Sequence, residues 1–394
     1  MAIPPTLAQQ RGLAFAPFPF AIISFFSSSY VIYHLLHEER DKLQRLYHRL
    51  ILALNFTLLP FSLCWIWRPF AVPVGTSYNE VASGTIQTCT AQGYIYLICI
   101  LAVPVYYASL SLQAFMAIKN NFKEEKYGWI EKWVHLAAIC VPCVLASIVA
   151  ARENFNANIG GCFLTKAPLG CELDPNMECQ RGMGIRYLEL VVGLGLLLLY
   201  SVFPPSVMIS LYCWIGKVQK KMEGSRGMIK VRETARKRMM QNVAWQISLY
   251  LVSFWSTWVF GIITSAYRIL TREKVPYDLS ILARCMYAFQ GFILAMVYFT
   301  LQRRGKSKVD IESASTMNQI SAPSNSPGQK FQTNISYIRE HAEIKIKSEP
   351  GVAEDDIMEE KRYDFNIFDG APDEDSPWAR FIDQDDDDDW NNNA

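Results

Sequence analysis

Two long runs without a charged side chain constrain this chain more than any other feature. Residues 81–118 and 190–216 contain no Asp, Glu, Lys or Arg. A helix needs about 20 apolar residues to cross the hydrocarbon core of a bilayer, because each residue rises only about 1.5 Å. Core helices of soluble proteins do not require uncharged runs of this length. With 51% hydrophobic and 19% charged residues overall, the sequence predicts a membrane protein.

Seven segments are long and apolar enough to span a bilayer, so the predicted fold class is all-α, a seven-transmembrane helix bundle. The predicted spans are residues 13–36, 50–70, 91–118, 133–151, 187–214, 243–267 and 279–301. The first segment resembles a signal peptide in position, but only Arg11 precedes it and its apolar run is too long. We expect it to remain as a span.

Lysines and arginines in the short loops predict the orientation, because cytoplasmic loops carry more of them. The excess falls on the cytoplasmic side if the N-terminus is outside. The chain then divides into a short extracellular N-terminus (1–12), a seven-helix transmembrane domain (13–301) and a cytoplasmic tail (302–394). The tail is acid-rich and ends DQDDDDDWNNNA, which predicts disorder. The expected location is the plasma membrane.

Four of the ten cysteines fall outside the predicted spans on the extracellular side, where thiols oxidise. They are Cys89, Cys162, Cys171 and Cys179. Four cysteines allow three pairings. We favour Cys89 with Cys162, which would tie the long outer loop to the third helix, and Cys171 with Cys179 as a local link across the turn APLGCELDP.

Three local strings make this seven-span pattern resemble a G-protein-coupled receptor. YHRLILALN (47–55), QISLYLVSFWSTWVFG (246–261) and FQGFILAMVYF (289–299) are similar to the cyclic-AMP-receptor-like receptors of slime moulds and other protists. The third span ends MAIKNNF, without the acid-Arg-Tyr motif of rhodopsin-like receptors, and the seventh lacks their Asn-Pro-x-x-Tyr. Leu294 stands where the cyclic-AMP-like pattern has asparagine. The resemblance implies an extracellular ligand and a heterotrimeric G protein as partners.

Charged side chains inside a membrane are costly and indicate function. Glu189 and Arg284 are the two such candidates, and we predict that they line an outward-opening ligand cavity with Tyr106, Tyr107 and Trp258. The alternative is structural: Arg284 reaches to the outer headgroups and Glu189 caps its helix.

Basic residues at the cytoplasmic ends of the helices predict contact with anionic lipid or with an acidic G-protein surface. The candidates for G-protein contact are Lys119, Lys217, Lys220, Lys221, Arg236, Lys237 and Arg238. Ligand binding would then favour the conformation in which helices five and six are apart at their inner ends.

A serine cluster in the tail predicts phosphorylation sites, so an arrestin-like protein or a kinase is an expected partner of the tail. Its members are Ser313, Ser315, Ser321, Ser324 and Ser326.

Three other functions fit the sequence less well. An opsin needs a Schiff-base lysine in the seventh span, and residues 279–301 contain none. A seven-span transporter or channel should show paired repeats with matching prolines or glycines, which are not evident. An enzyme needs a clustered nucleophile, base or metal set, and the histidines are scattered. We expect no catalytic activity, no cofactor or metal, and no nucleic-acid partner.

Overall fold

A computed structural model of the chain describes residues 6–304, except 77–78, 80, 121–122, 169–170, 172–177, 272–274 and most of 183–228. For residues 229–241, 268 and 269 it describes the backbone but not the side chains. The described residues up to Leu301 belong to one compact unit.

Helices make up most of the described chain. In order they are α1 (Leu7–Phe15), α2 (Phe18–Tyr33), α3 (Leu46–Trp67), α4 (Ile86–Lys119), α5 (Ile130–His135), α6 (Val141–Ala151), α7 (Ile229–Thr271), α8 (Tyr277–Ala288) and α9 (Gln290–Arg304). Turns of π-helix at His34–Glu38 and Leu136–Cys140 extend α2 and join α5 to α6.

Five described helical stretches are long and apolar enough to cross a membrane, and the bent pair α8 and α9 brings the number to six. The five are Leu7–Glu38, Leu46–Trp67, Ile86–Lys119, Ile130–Ala151 and Asn242–Tyr267. Six of the seven predicted spans coincide with these helices. The other prediction, residues 187–214, lies outside the described residues except for a few isolated positions.

Side-chain caps define where two helices begin. Thr6 accepts a hydrogen bond from the backbone N–H of Gln9, whose side chain accepts one from the N–H of Thr6. Thr85 and Thr88 make the same reciprocal pair at the start of α4. Each pair satisfies N–H groups that the first helical turn leaves without partners.

Helix α4 occupies the centre of the bundle. In its most apolar stretch 72% of the residues are buried, against 28% in Ile130–Ala151. It packs against α3, α6 and α7. The α5–α6 stretch is therefore peripheral, and its exposed Trp133 and Val144 suit contact with lipid chains.

The seventh predicted span is bent by 48° between α8 and α9 rather than continuous. Just past the bend, the N–H of Gly291 donates to the hydroxyl of Ser24 on α2, at 2.7 Å. Insertion of a side chain into the helical hydrogen-bond ladder is a common cause of kinks. Contact with α2 thus explains a bend that the local sequence, without proline, does not predict.

A short β-hairpin follows α6, which the all-α prediction did not include. Strand β1 (Phe155–Asn158) pairs antiparallel with β2 (Gly161–Leu164) through the turn at Ile159 and Gly160. The hairpin packs on α4. We call the end of the bundle that carries it the hairpin end, and the end near Leu46 and Lys119 the opposite end.

Candidate functional site

Two disulfides lie at the hairpin end, and they join Cys89 to Cys162 and Cys171 to Cys179. This is the pairing that the sequence analysis favoured. Cys162 is fully buried on β2, and its N–H donates to the side-chain oxygen of Gln92 on α4, at 3.0 Å. The hairpin is therefore fixed to the first turns of α4 by one covalent bond and one buried hydrogen bond.

The turn of the hairpin rests on two arginines. One guanidinium nitrogen of Arg284, on α8, donates to the carbonyl oxygens of Leu13 and Ile159, at 2.9 and 3.1 Å. A Cβ atom placed on Gly161 would lie 2.0 Å from the Cγ of Arg68. Gly160 has φ +76°, and a Cβ atom there would lie 3.0 Å from Arg284. Two consecutive glycines thus let the backbone approach both cations.

Arg68 immediately follows the last residue of α3 and is only 8% exposed. Its guanidinium carbon lies 4.7 Å from the centre of the Trp65 ring and 5.3 Å from that of Tyr96. Arginine stays charged even when it is buried, so a cation is buried beneath the hairpin and held between aromatic faces.

The structure brings together some of the predicted ligand-binding residues but not all of them. Tyr107 packs against Phe254, with ring centres 5.1 Å apart, and Phe254 stacks on Trp258. Tyr106 points elsewhere, because its hydroxyl lies 3.1 Å from His135 of α5.

Of the remaining two, Arg284 lies under the hairpin turn, in contact with the backbone of α1 and of the hairpin. Glu189 lies outside the described residues.

The predicted G-protein contacts are described only in part. Lys119 is exposed at the last position of α4, at the opposite end of the bundle. Residues 236–238 belong to α7, but their side chains are not described. Lys217, Lys220 and Lys221 lie outside the described residues, as do the tail serines Ser313, Ser315, Ser321, Ser324 and Ser326.

A buried hydrogen-bonded contact joins α3 to α7 at the opposite end. The hydroxyls of Tyr47 and Tyr250 are 2.8 Å apart, and the side-chain amide of Gln246 donates to Tyr47. All three residues are buried. Sequence reasoning missed this contact, although both segments belong to strings that carry the receptor resemblance. We call these three residues the tyrosine latch.

A second polar contact at the opposite end joins α3 to α5 and to the loop between α4 and α5. Arg49 donates two parallel hydrogen bonds to the carboxylate of Glu131, at 2.8 and 2.9 Å, and a third to Glu124 at 2.9 Å. Glu124 also accepts from the N–H of Leu46, at 2.8 Å. A bidentate pair of this kind is among the stronger ionic contacts in proteins.

Arg68 also escaped sequence reasoning. It lies inside the predicted span 50–70, immediately after the string WIW, so its charge was a signal that could have identified it. In the described part of the chain, no group of three His, Cys, Asp or Glu side chains could hold a metal ion.

The fold and the disulfide-linked hairpin define a helical bundle consistent with an integral membrane protein. Neither a known protein family nor a curated protein matches the chain.

Proposed function

We propose that this protein is a G-protein-coupled receptor of the cyclic-AMP-receptor-like kind, with its hairpin end outside the plasma membrane. A ligand would bind at that end, and a heterotrimeric G protein would bind at the opposite end. The apolar helices and the disulfide between α4 and the hairpin support this proposal, as does the resemblance in the sequence strings.

The observation that carries the proposal is the tyrosine latch between α3 and α7. Buried hydrogen bonds between helices select one arrangement of those helices, since breaking them leaves polar groups without partners. The latch lies at the opposite end, where we propose that the G protein binds, and it holds α7, the predicted sixth span, against α3. Helix α7 also continues from Asn242 back to Ile229 beyond the apolar stretch, and this extension is rich in Lys and Arg.

The test is nucleotide exchange on a G-protein α subunit co-expressed with the full chain in membranes. We expect exchange above that of membranes without the protein. Reversing three charges together, as Arg236→Glu, Lys237→Glu and Arg238→Glu, should abolish it, because the acidic partner surface would be repelled. Arg152→Glu, an exposed arginine at the hairpin end, is the matched control and should leave exchange unchanged.

A second candidate is a seven-span transporter or channel without signalling activity. The 48° bend between α8 and α9 favours it, since broken helices are typical of transporter binding sites. Solute flux into vesicles that contain the purified protein, with no nucleotide exchange in membranes, would support this alternative against the receptor.

A further inference from the structure

Three buried N–H donors under the hairpin have no hydrogen-bond acceptor. They are Nε1 of Trp65, Nε of Arg68 and Nε2 of Gln92. Folded proteins satisfy nearly all such groups, and each unsatisfied one costs about 1–3 kcal/mol. Three donors of the same kind at one place, all on the ends of α3 and α4 nearest the hairpin, indicate a site built to receive an acceptor.

The charge at this place has the sign that an anion requires. Among the described residues, no carboxylate lies within ion-pair distance of Arg68. One nitrogen of Arg284 already donates to two backbone carbonyls, so the charge argument depends on Arg68. Arg181, which follows the hairpin in the chain, lies 3.5 Å from the carboxylate of Glu153. The negative end of the α3 helix dipole offsets part of the Arg68 charge, but it leaves the three donors unsatisfied.

The walls around these donors are aromatic. Tyr96 stacks on Phe61, with ring centres 5.5 Å apart, and meets the edge of Phe163 from the hairpin at 5.2 Å. Apolar ring faces beside a small set of polar groups are the usual composition of a small-molecule site. One unsatisfied guanidinium nitrogen and two neutral donors suit a single negative charge better than a doubly charged phosphate.

We propose that a small monocarboxylate with an apolar body binds beneath the hairpin turn when the turn lifts, and that the turn is its lid. The carboxylate accepts hydrogen bonds from Arg68, Trp65 and Gln92, and it replaces the carbonyl of Ile159 on Arg284. The apolar body lies against Tyr96 and its aromatic neighbours. This proposal names the ligand class of the proposed receptor and depends on that function only for the signalling consequence of binding.

The lid follows from the packing of the turn. Gly160 and Gly161 lie directly against Arg284 and Arg68, so an anion reaches the guanidinium groups only when the turn lifts. The Cys89–Cys162 disulfide holds the neighbouring end of β2 on α4. The turn therefore moves about a fixed point and returns over the bound ligand.

The experiment measures thermal unfolding of the purified full chain in lipid nanodiscs, without a G protein. The probes are phenylacetate, its neutral isostere phenylacetamide, and phenyl phosphate. We expect phenylacetate to raise the unfolding midpoint saturably, because a ligand that binds only the folded state stabilises it. Phenylacetamide should have no effect, and phenyl phosphate should bind more weakly than phenylacetate.

Three variants locate the effect. Arg68→Gln should weaken phenylacetate binding by at least about tenfold, since a charged hydrogen bond is lost. Trp65→Phe keeps an aromatic side chain but removes the indole N–H donor, so a loss of about three- to tenfold is expected. Arg152→Gln, an exposed arginine at the same end of the bundle, should bind as the wild type does.

Several results would overturn the site. They are an unchanged midpoint with phenylacetate in the wild type, an equal response to phenylacetamide, stronger binding of phenyl phosphate, or normal binding by Trp65→Phe. Trp65→Phe decides the matter even if Arg68→Gln does not fold. Carboxylate binding without nucleotide exchange would refute the receptor function but support the carboxylate site. Nucleotide exchange without carboxylate binding would support the receptor function but refute the site.

Discussion

Removing the hydroxyl of Tyr250 tests the tyrosine latch most directly. Tyr250→Phe keeps the ring and deletes the oxygen that lies 2.8 Å from the hydroxyl of Tyr47. A buried hydrogen bond contributes about 1 kcal/mol net. In the proposed receptor, the bond exists only in the inactive conformation, in which α3 and α7 are close. Its loss therefore multiplies the ratio of the active conformation, with these helices apart, to the inactive one by about 5. Basal nucleotide exchange should rise by that factor.

Tyr47→Phe should raise basal exchange further, because the Tyr47 hydroxyl bonds to both Tyr250 and Gln246. Two bonds at about 1 kcal/mol each set a ceiling of about 30-fold. The double variant should match Tyr47→Phe alone, because without the Tyr47 hydroxyl the Tyr250 hydroxyl no longer makes this hydrogen bond. Such non-additivity is the signature of a direct contact.

The assay is basal exchange in membranes, normalised to the amount of protein at the cell surface. Tyr94→Phe is the matched control, because the Tyr94 hydroxyl also joins two helices, 3.1 Å from Ser147, but at a partly exposed site in the hairpin half. It should leave basal exchange unchanged. Unaltered exchange in Tyr250→Phe, an equal rise in Tyr94→Phe, or additive effects of the two latch variants would refute the reasoning.

Other predictions concern stability. Cys162→Ser opens a link that spans 73 residues and Cys179→Ser one that spans 8; chain entropy predicts losses of about 4 and about 2.5 kcal/mol in chemical unfolding. Arg49→Gln should lower the free energy of unfolding by about 2 kcal/mol, whereas Arg152→Gln should change it little. Burial raises the pKa of Tyr127 from 10.0 to about 12. The contribution of the neutral Tyr127 side chain to the free energy of unfolding is therefore complete below pH 10, and it is lost as the pH rises towards 12. Between pH 10 and pH 12, Tyr127→Phe should lose less stability than the wild type in thermal unfolding. Equal losses would contradict the assignment of this pH dependence to the Tyr127 hydroxyl.

Sequence reasoning located the spans well because each depends on a local property. The run 81–118 lacks charge, and α4 covers Ile86–Lys119 with Thr85 as its cap. The cysteine pairing was favoured because Cys89 lies just before the third predicted span and Cys162 lies in the long loop after the fourth. The hairpin in that loop was not predicted, because strands of four residues carry little periodic signal.

The candidate sites were harder to predict, because the role of a polar residue depends on contacts with residues distant in sequence. Tyr106 and Tyr107 are adjacent in the chain, yet one faces His135 and the other faces Phe254. Arg284 was identified by its charge within a span, but its partners Leu13 and Ile159 are far away in the chain. Nothing in the local sequence specifies them.

The sequence alone determined which helices are long and apolar enough to cross a membrane, because the transfer of each side chain into hydrocarbon is a property of that residue and its immediate run. Tertiary structure decided which polar groups meet. Arg68 became a candidate anion ligand only when folding placed the hairpin above it and left no carboxylate beside it among the described residues. Hydrogen bonds and charge pairs act over a few ångströms, so only packing between helices determines them.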